Sequence, residues 1–131
     1  MSKVIVFGTF DILHAGHRHM LEEAHTFGNQ LVVVVARDAT VHKIKGRLPQ
    51  FDEITRSQNL RDLNIADRVI LGDTQDYHKV LRDEKPDVVA LGYDQKAFTE
   101  DIEKNLQYPV RIVRLQAFHP EKYKSSFFRK D

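Results

Sequence analysis

Four short apolar runs constrain this chain more than any other feature: Val4–Phe7, Leu31–Ala36, Arg68–Leu71 and Val88–Leu91. They lack the apolar–polar alternation of a strand with one wet face. Near-continuous runs of this length belong to strands buried on both sides, the situation in a parallel sheet covered by helices. A fifth candidate, Val110–Leu115, is interrupted by Arg111 and Arg114. Helical patterns fall between the runs. Residues His17–Phe27 place Met20, Leu21, Ala24 and Phe27 on one face and end at Gly28, a C-cap residue. Phe51–Leu63, Tyr77–Glu84 and Ala97–Leu106 are the other candidates. Strands alternating with helices predict an α/β fold, a doubly wound parallel sheet of five strands with helices on both faces and right-handed crossovers. At 131 residues the chain is the size of one domain, 1–131, with no repeat, linker or low-complexity tract.

Composition narrows the function classes. No apolar run approaches the roughly 18 residues that span a bilayer, and Met1-Ser2-Lys3 leads straight into a strand-length run rather than a signal peptide. The absence of cysteine removes disulfide and thiolate chemistry and fits a cytoplasmic protein with no membrane partner. The net charge of +1 hides two basic segments. Arg37, Lys43, Lys45 and Arg47 stand against Asp38 alone in residues 37–47. Residues 111–131 hold Arg111, Arg114, Lys122, Lys124, Arg129 and Lys130 against Glu121 and Asp131. In a near-neutral chain, such clusters indicate a local anion site or solvated loops. No aromatic–basic stacking pattern supports nucleic-acid binding.

The sharpest local feature is G-T-F-D-I-L-H-A-G-H, residues 8–17, directly after the first run. In a doubly wound sheet, ligands bind beyond the carboxyl ends of the strands where strand order reverses. Two runs end in glycine followed by polar residues, V-I-V-F-G-T-F-D and V-V-A-L-G-Y-D-Q. If strands one and four flank the reversal, Gly8–Asp11 and Gly92–Gln95 face each other across one crevice. His14 precedes the first helix and His17 sits in its first turn, where open backbone amides and the helix dipole favour an anion. Gly16 leaves that backbone accessible. Other readings of the cluster are a turn capped by Thr9 or Asp11 with incidental histidines, and a metal site from His14, His17 and His19. The latter has no evident partner carboxylate.

G-T-F-D-x-x-H-x-G-H resembles the signature of the HxGH nucleotidylyltransferase superfamily, a Rossmann-like group that includes glycerol-3-phosphate cytidylyltransferase, phosphopantetheine adenylyltransferase and the archaeal-type FAD synthases. The similarity is nearest to the last subfamily and extends over V-A-R-D-A-T-V-H-K-I-K-G-R-L-P (35–49), Arg56, L-G-Y-D-Q (91–95) and Ser125-Ser126. The resemblance implies that His14 and His17 bind the nucleotide phosphates and stabilise the transition state, and that Lys45 closes over the phosphates from a mobile loop. It implies that Gly8, Thr9, Phe10, Asp11 and Gly16 form the turn against the triphosphate and acceptor. Arg56 would be a helix arginine of the site, with a surface ion pair as the alternative. Gly92, Asp94 and Gln95 would border the base, and Ser125 and Ser126 would open a C-terminal helix beside the phosphates. The cytidylyltransferase pattern has an arginine five residues before the Ser/Thr pair. Pro120 stands there in this chain.

The expected reaction is nucleotidyl transfer from ATP to FMN, giving FAD and pyrophosphate, with Mg2+ carried by the triphosphate and Asp11 as the nearest carboxylate. The alternatives are CTP-dependent transfer to glycerol 3-phosphate and a nucleotide-binding sensor without turnover. A flavin needs an apolar slot, for which Phe10, Phe98, Phe118, Phe127 and Phe128 are candidates, with ordinary core packing as the competing role. The resemblance also implies a homodimer.

Overall fold

A computed structural model describes residues 2–73, 79–91 and 110–115. The element order is β1 (Lys3–Gly8), α1 (Ala15–His25), β2 (Gln30–Val35), α2 (Asp38–Lys45), α3 (Glu53–Asp62), β3 (Arg68–Leu71), α4 (Lys79–Glu84), β4 (Val88–Leu91) and β5 (Arg111–Arg114). All five expected strands form and pair in parallel, in the order β3-β2-β1-β4-β5. The chain moves outward from β1 through β2 to β3, then crosses to the far side of β1 for β4. Strand order therefore reverses between β1 and β4, which are in register from Val4 opposite Val88 to Val6 opposite Ala90.

The apolar runs are continuous because each face of the sheet has its own core. Val4 and Val6 of β1, with Leu31, Val33 and Val35 of β2, pack on one face with Leu21 and Ala24 of α1 and Leu60 of α3. Ile5, Val32, Val34, Val89 and Leu91 point the other way, into a cluster with Val80 and Leu81 of α4. Helices thus lie on both faces, as the doubly wound pattern requires. The strands also end level: Ala36 N–H donates to Gly8 O, Gly72 N–H to Val35 O and Leu115 N–H to Leu91 O.

Two expectations are adjusted. The basic segment 37–47 is largely the helix α2 rather than a loop, and left-handed Gly46 (φ 78°) ends it. Only Thr40 and Val41 of that helix are buried, so it leaves no apolar stripe to read. The first helix, Ala15–His25, follows His14 directly as expected, but runs two residues ahead of the apolar pattern His17–Phe27 at each end. The candidate helix Ala97–Leu106 lies outside the described residues.

Candidate active site at the carboxyl end of the first strand

The motif turn is built around one strained residue. Phe10 adopts φ 54°, a left-handed conformation that L side chains avoid, and is buried at 4% exposure. Its ring lies over Gly8, where a Cβ would come within 2.7 Å of the ring carbon Cε2. It also packs against His17 with centroids 5.8 Å apart. Gly8 is therefore glycine for the close approach of that ring. Phe10 belongs to the core cluster and lies behind His17, so its surface is already taken by protein.

Two charged side chains hold this turn in place. Asp11, only 1% exposed, accepts from the amides of Gln50 (2.8 Å) and Phe51 (2.9 Å). Arg56 is fully enclosed, at 0% exposure. Its Nη1 donates to Thr9 O (2.7 Å), its Nε to Phe51 O (2.9 Å) and its Nη2 to Asp38 Oδ1 (2.7 Å). Asp38 and Glu53 exchange further bonds: Glu53 N–H donates to Asp38 Oδ2 and Asp38 N–H to Glu53 Oε1. Arg37 donates to Glu53 Oε2 and to Gly72 O. Arg56 is thus a buried tie between the motif turn, α2 and α3, not a surface ion pair. The sequence shows Arg56 and Asp38 but not their meeting, because charged residues are read as exposed unless partners from distant segments are known.

The histidines build the N-terminus of α1 themselves. His14 is the N-cap, its Nδ1 accepting from Gly16 N–H at 3.0 Å. The His14 N–H donates in turn to His17 Nδ1 at 3.3 Å, a reciprocal capping box made by two imidazoles. Neither Thr9 nor Asp11 caps this helix. The Gly16 amide is engaged by His14 Nδ1 and the His17 amide by His14 O, so neither is one of the open amides expected at this helix start. The two rings lie 4.0 Å apart, centroid to centroid. With each Nδ1 accepting a backbone N–H, the neutral rings carry their protons on Nε2. Burial lowers the pKa of His14. Burial and then the neighbouring His14 push His17 down to about 4. At neutral pH the pair is uncharged, with its protons on Nε2.

Lys45 is the exposed last residue of α2. It is joined to the motif through the 46–51 segment that Asp11 holds. The structure thus brings Gly8, Thr9, Phe10, Asp11, His14, Gly16, His17 and Arg56 into one assembly beside the β1–β4 reversal. Gly92, Asp94, Gln95, Ser125 and Ser126 lie outside the described residues, as do Phe98, Phe118, Phe127 and Phe128. Among the described residues no group of three or more metal-ligating side chains occurs, and no helix is long and apolar enough to cross a membrane.

The chain is similar to known proteins over most of its length. The cytidylyltransferase-like family model matches residues 5–130. The FAD synthase of Thermoplasma volcanium is 41% identical over 99% of this chain and 93% of its own length. That of Thermoplasma acidophilum is 43% identical with the same coverage. A crystal structure from Thermoplasma volcanium, described as a lipopolysaccharide core biosynthesis protein, is similar with a TM-score of 0.83 and 43% identity, covering 90% of this chain and 98% of that one.

Proposed function

The chain belongs to the cytidylyltransferase-like family, and from that premise we infer that it is an FAD synthase, a nucleotidyltransferase that moves AMP from ATP to FMN and releases pyrophosphate. The observation that carries the reading at the level of the site is the imidazole capping box. It presets two neutral Nε2–H donors beside the carboxyl end of β1.

The chemistry needs little beyond placement and charge neutralisation. A phosphate oxygen of FMN attacks the α-phosphorus of ATP. The bond from that phosphorus to the bridging oxygen of the β-phosphate breaks, and pyrophosphate leaves with the electron pair. A phosphomonoester has a second pKa of about 6, so the nucleophile is already an anion at neutral pH and needs no general base. His14 and His17 donate from Nε2 to the phosphoryl oxygens, over which charge is spread in the transition state. Neutral donors suit this task because they release no proton and need none returned.

Lys45 adds positive charge from the adjoining segment, and the turn Gly8–Asp11 with Gly16 borders the phosphates. Asp11 and Arg56 serve the site by fixing the turn, since their polar atoms are spent on protein backbone and Asp38. Gly92, Asp94 and Gln95 border the base, and Ser125 and Ser126 meet the phosphates, on family resemblance. ATP enters with its divalent cation, Mg2+, as one substrate. The protein acts as one domain over 1–131, in the cytoplasm and as a homodimer. The test crosses ATP or CTP with FMN or glycerol 3-phosphate and follows pyrophosphate release. FAD formation with ATP and FMN is expected, and turnover confined to CTP or to glycerol 3-phosphate would overturn the assignment.

A further inference from the structure

We propose that the segment 44–54 supplies the platform for the isoalloxazine ring of the acceptor, an inference that rests on FMN being the substrate. In this stretch four large apolar side chains are left in solvent: Ile44 at 59% exposure, Leu48 at 64%, Phe51 at 41% and Ile54 at 66%. These four are the exposed large hydrophobics among the described residues, and they fall within eleven positions. Scattered apolar residues on a surface need no explanation, but such a concentration marks a surface that something covers.

The place of the segment argues for the acceptor. Asp11 accepts the Gln50 and Phe51 amides, and Arg56 bonds both Phe51 O and Thr9 O. The platform is therefore tied to the motif turn, directly by two hydrogen bonds to Asp11 and through the Arg56 bridge from Phe51 O to Thr9 O. Its charge pattern matches the ligand as well. Exposed Lys43, Lys45 and Arg47 alternate with Ile44 and Leu48, placing cations among apolar side chains. FMN has the corresponding make-up, a broad apolar ring system joined to a phosphate dianion. Phe10, the aromatic residue of the motif itself, is packed behind His17 and leaves this work to the neighbouring segment.

Leu48→Ser and Ile54→Ser remove the most exposed members and leave the buried core untouched. Each variant is assayed for KM of FMN and of ATP, for quenching of FMN fluorescence on binding, and for sedimentation. The expected result is a rise of about tenfold in KM and Kd for FMN, with KM for ATP changed less than about twofold and sedimentation unchanged. Leu48→Met should keep FMN binding near the parent value. An unchanged KM for FMN in both serine variants would overturn the platform while leaving the FAD synthase assignment standing. A change in sedimentation with unchanged FMN binding would overturn it in favour of a second copy of the chain. A parent protein that turns over ATP with some other acceptor and not with FMN would remove the assignment itself, and the platform with it.

Discussion

The two ends of the sheet use the same chemical device for opposite purposes. At the amino end, carboxylates accept amides of the entering strands. Asp87 Oδ2 takes Lys3 N–H at 2.8 Å, and Asp67 Oδ2 takes Leu31 N–H at 2.7 Å. Glu84 joins the same end, receiving Lys3 Nζ at 3.3 Å and Arg68 Nη1 at 2.7 Å. These groups sit at or near the surface, and the bonds close off strand ends that would otherwise face water. At the carboxyl end, Asp11 and Arg56 do the same with loop backbone, but fully enclosed. There the bonds hold a strained turn on which two imidazoles are mounted. Burial is the difference: carboxylates at or near the surface close the strands, whereas a buried tie fixes the turn that precedes the two imidazoles.

Substitutions that should separate the two ends begin with the tie. Arg56→Met leaves Thr9 O, Phe51 O and Asp38 without their partner, and should lower stability by about 3 kcal/mol in denaturant unfolding. Arg68→Met at the amino end should lower it by less than about 1 kcal/mol, because its guanidinium is about half exposed and Glu84 keeps Lys3 as a partner. Equal losses would erase the distinction. In activity, His17→Ala should reduce kcat by about a hundredfold or more with the fold retained, while Glu84→Gln should leave kcat within about twofold.

The glycines at the strand ends give a smaller contrast. Gly8→Ala drives a Cβ into the Phe10 ring and should destabilise by about 1–3 kcal/mol, displacing the ring that supports His17. At Gly72 a Cβ would meet Val34 Cγ1 at 3.5 Å, ordinary contact, so Gly72→Ala should stay within about 0.5 kcal/mol. A further contrast is one of pH. His17 falls from 6.5 unfolded to about 4 folded, so the unfolded chain binds more protons between those values. Its contribution to stability is complete above pH 6.5 and is lost as pH falls toward 4. Burial alone would raise Glu84, but bonds from Arg68 and Lys3 hold its pKa below 4.5, so its contribution is lost only below that value. Amide exchange at pH 5 should therefore show the first turn of α1 loosened and the strand starts Lys3 and Leu31 still protected.

Much of this was legible in the residues. All five strands form where the apolar runs lie, and β3 and β4 match their runs at both ends, because burial on both faces leaves no other use for such stretches. The G-T-F-D-x-x-H-x-G-H stretch pointed to the candidate site, since its glycines and histidines follow a buried strand. The helix α2 was not legible, because exposed Lys43, Ile44 and Lys45 mask its periodicity, although Asp38 in its first turn and Gly46 after its last residue were signals. Nor was the role of Arg56, which depends on Thr9, Asp38 and Phe51 arriving from three segments. The imidazole capping box escaped for a different reason: capping is read from Ser, Thr, Asp and Asn, and histidine is not among them.

The central claim is that the fold presets His14 and His17 as neutral Nε2–H donors. Long-range proton–nitrogen correlation of the two imidazoles in 15N-labelled protein at pH 7, before and after adding a non-hydrolysable ATP analogue, tests it most directly. The account predicts protons on both Nε2 atoms, lone pairs on both Nδ1 atoms, and movement of the Nε2–H signals alone when the nucleotide binds. An imidazolium in either ring, a proton on Nδ1, or Nε2–H signals indifferent to the nucleotide would contradict it.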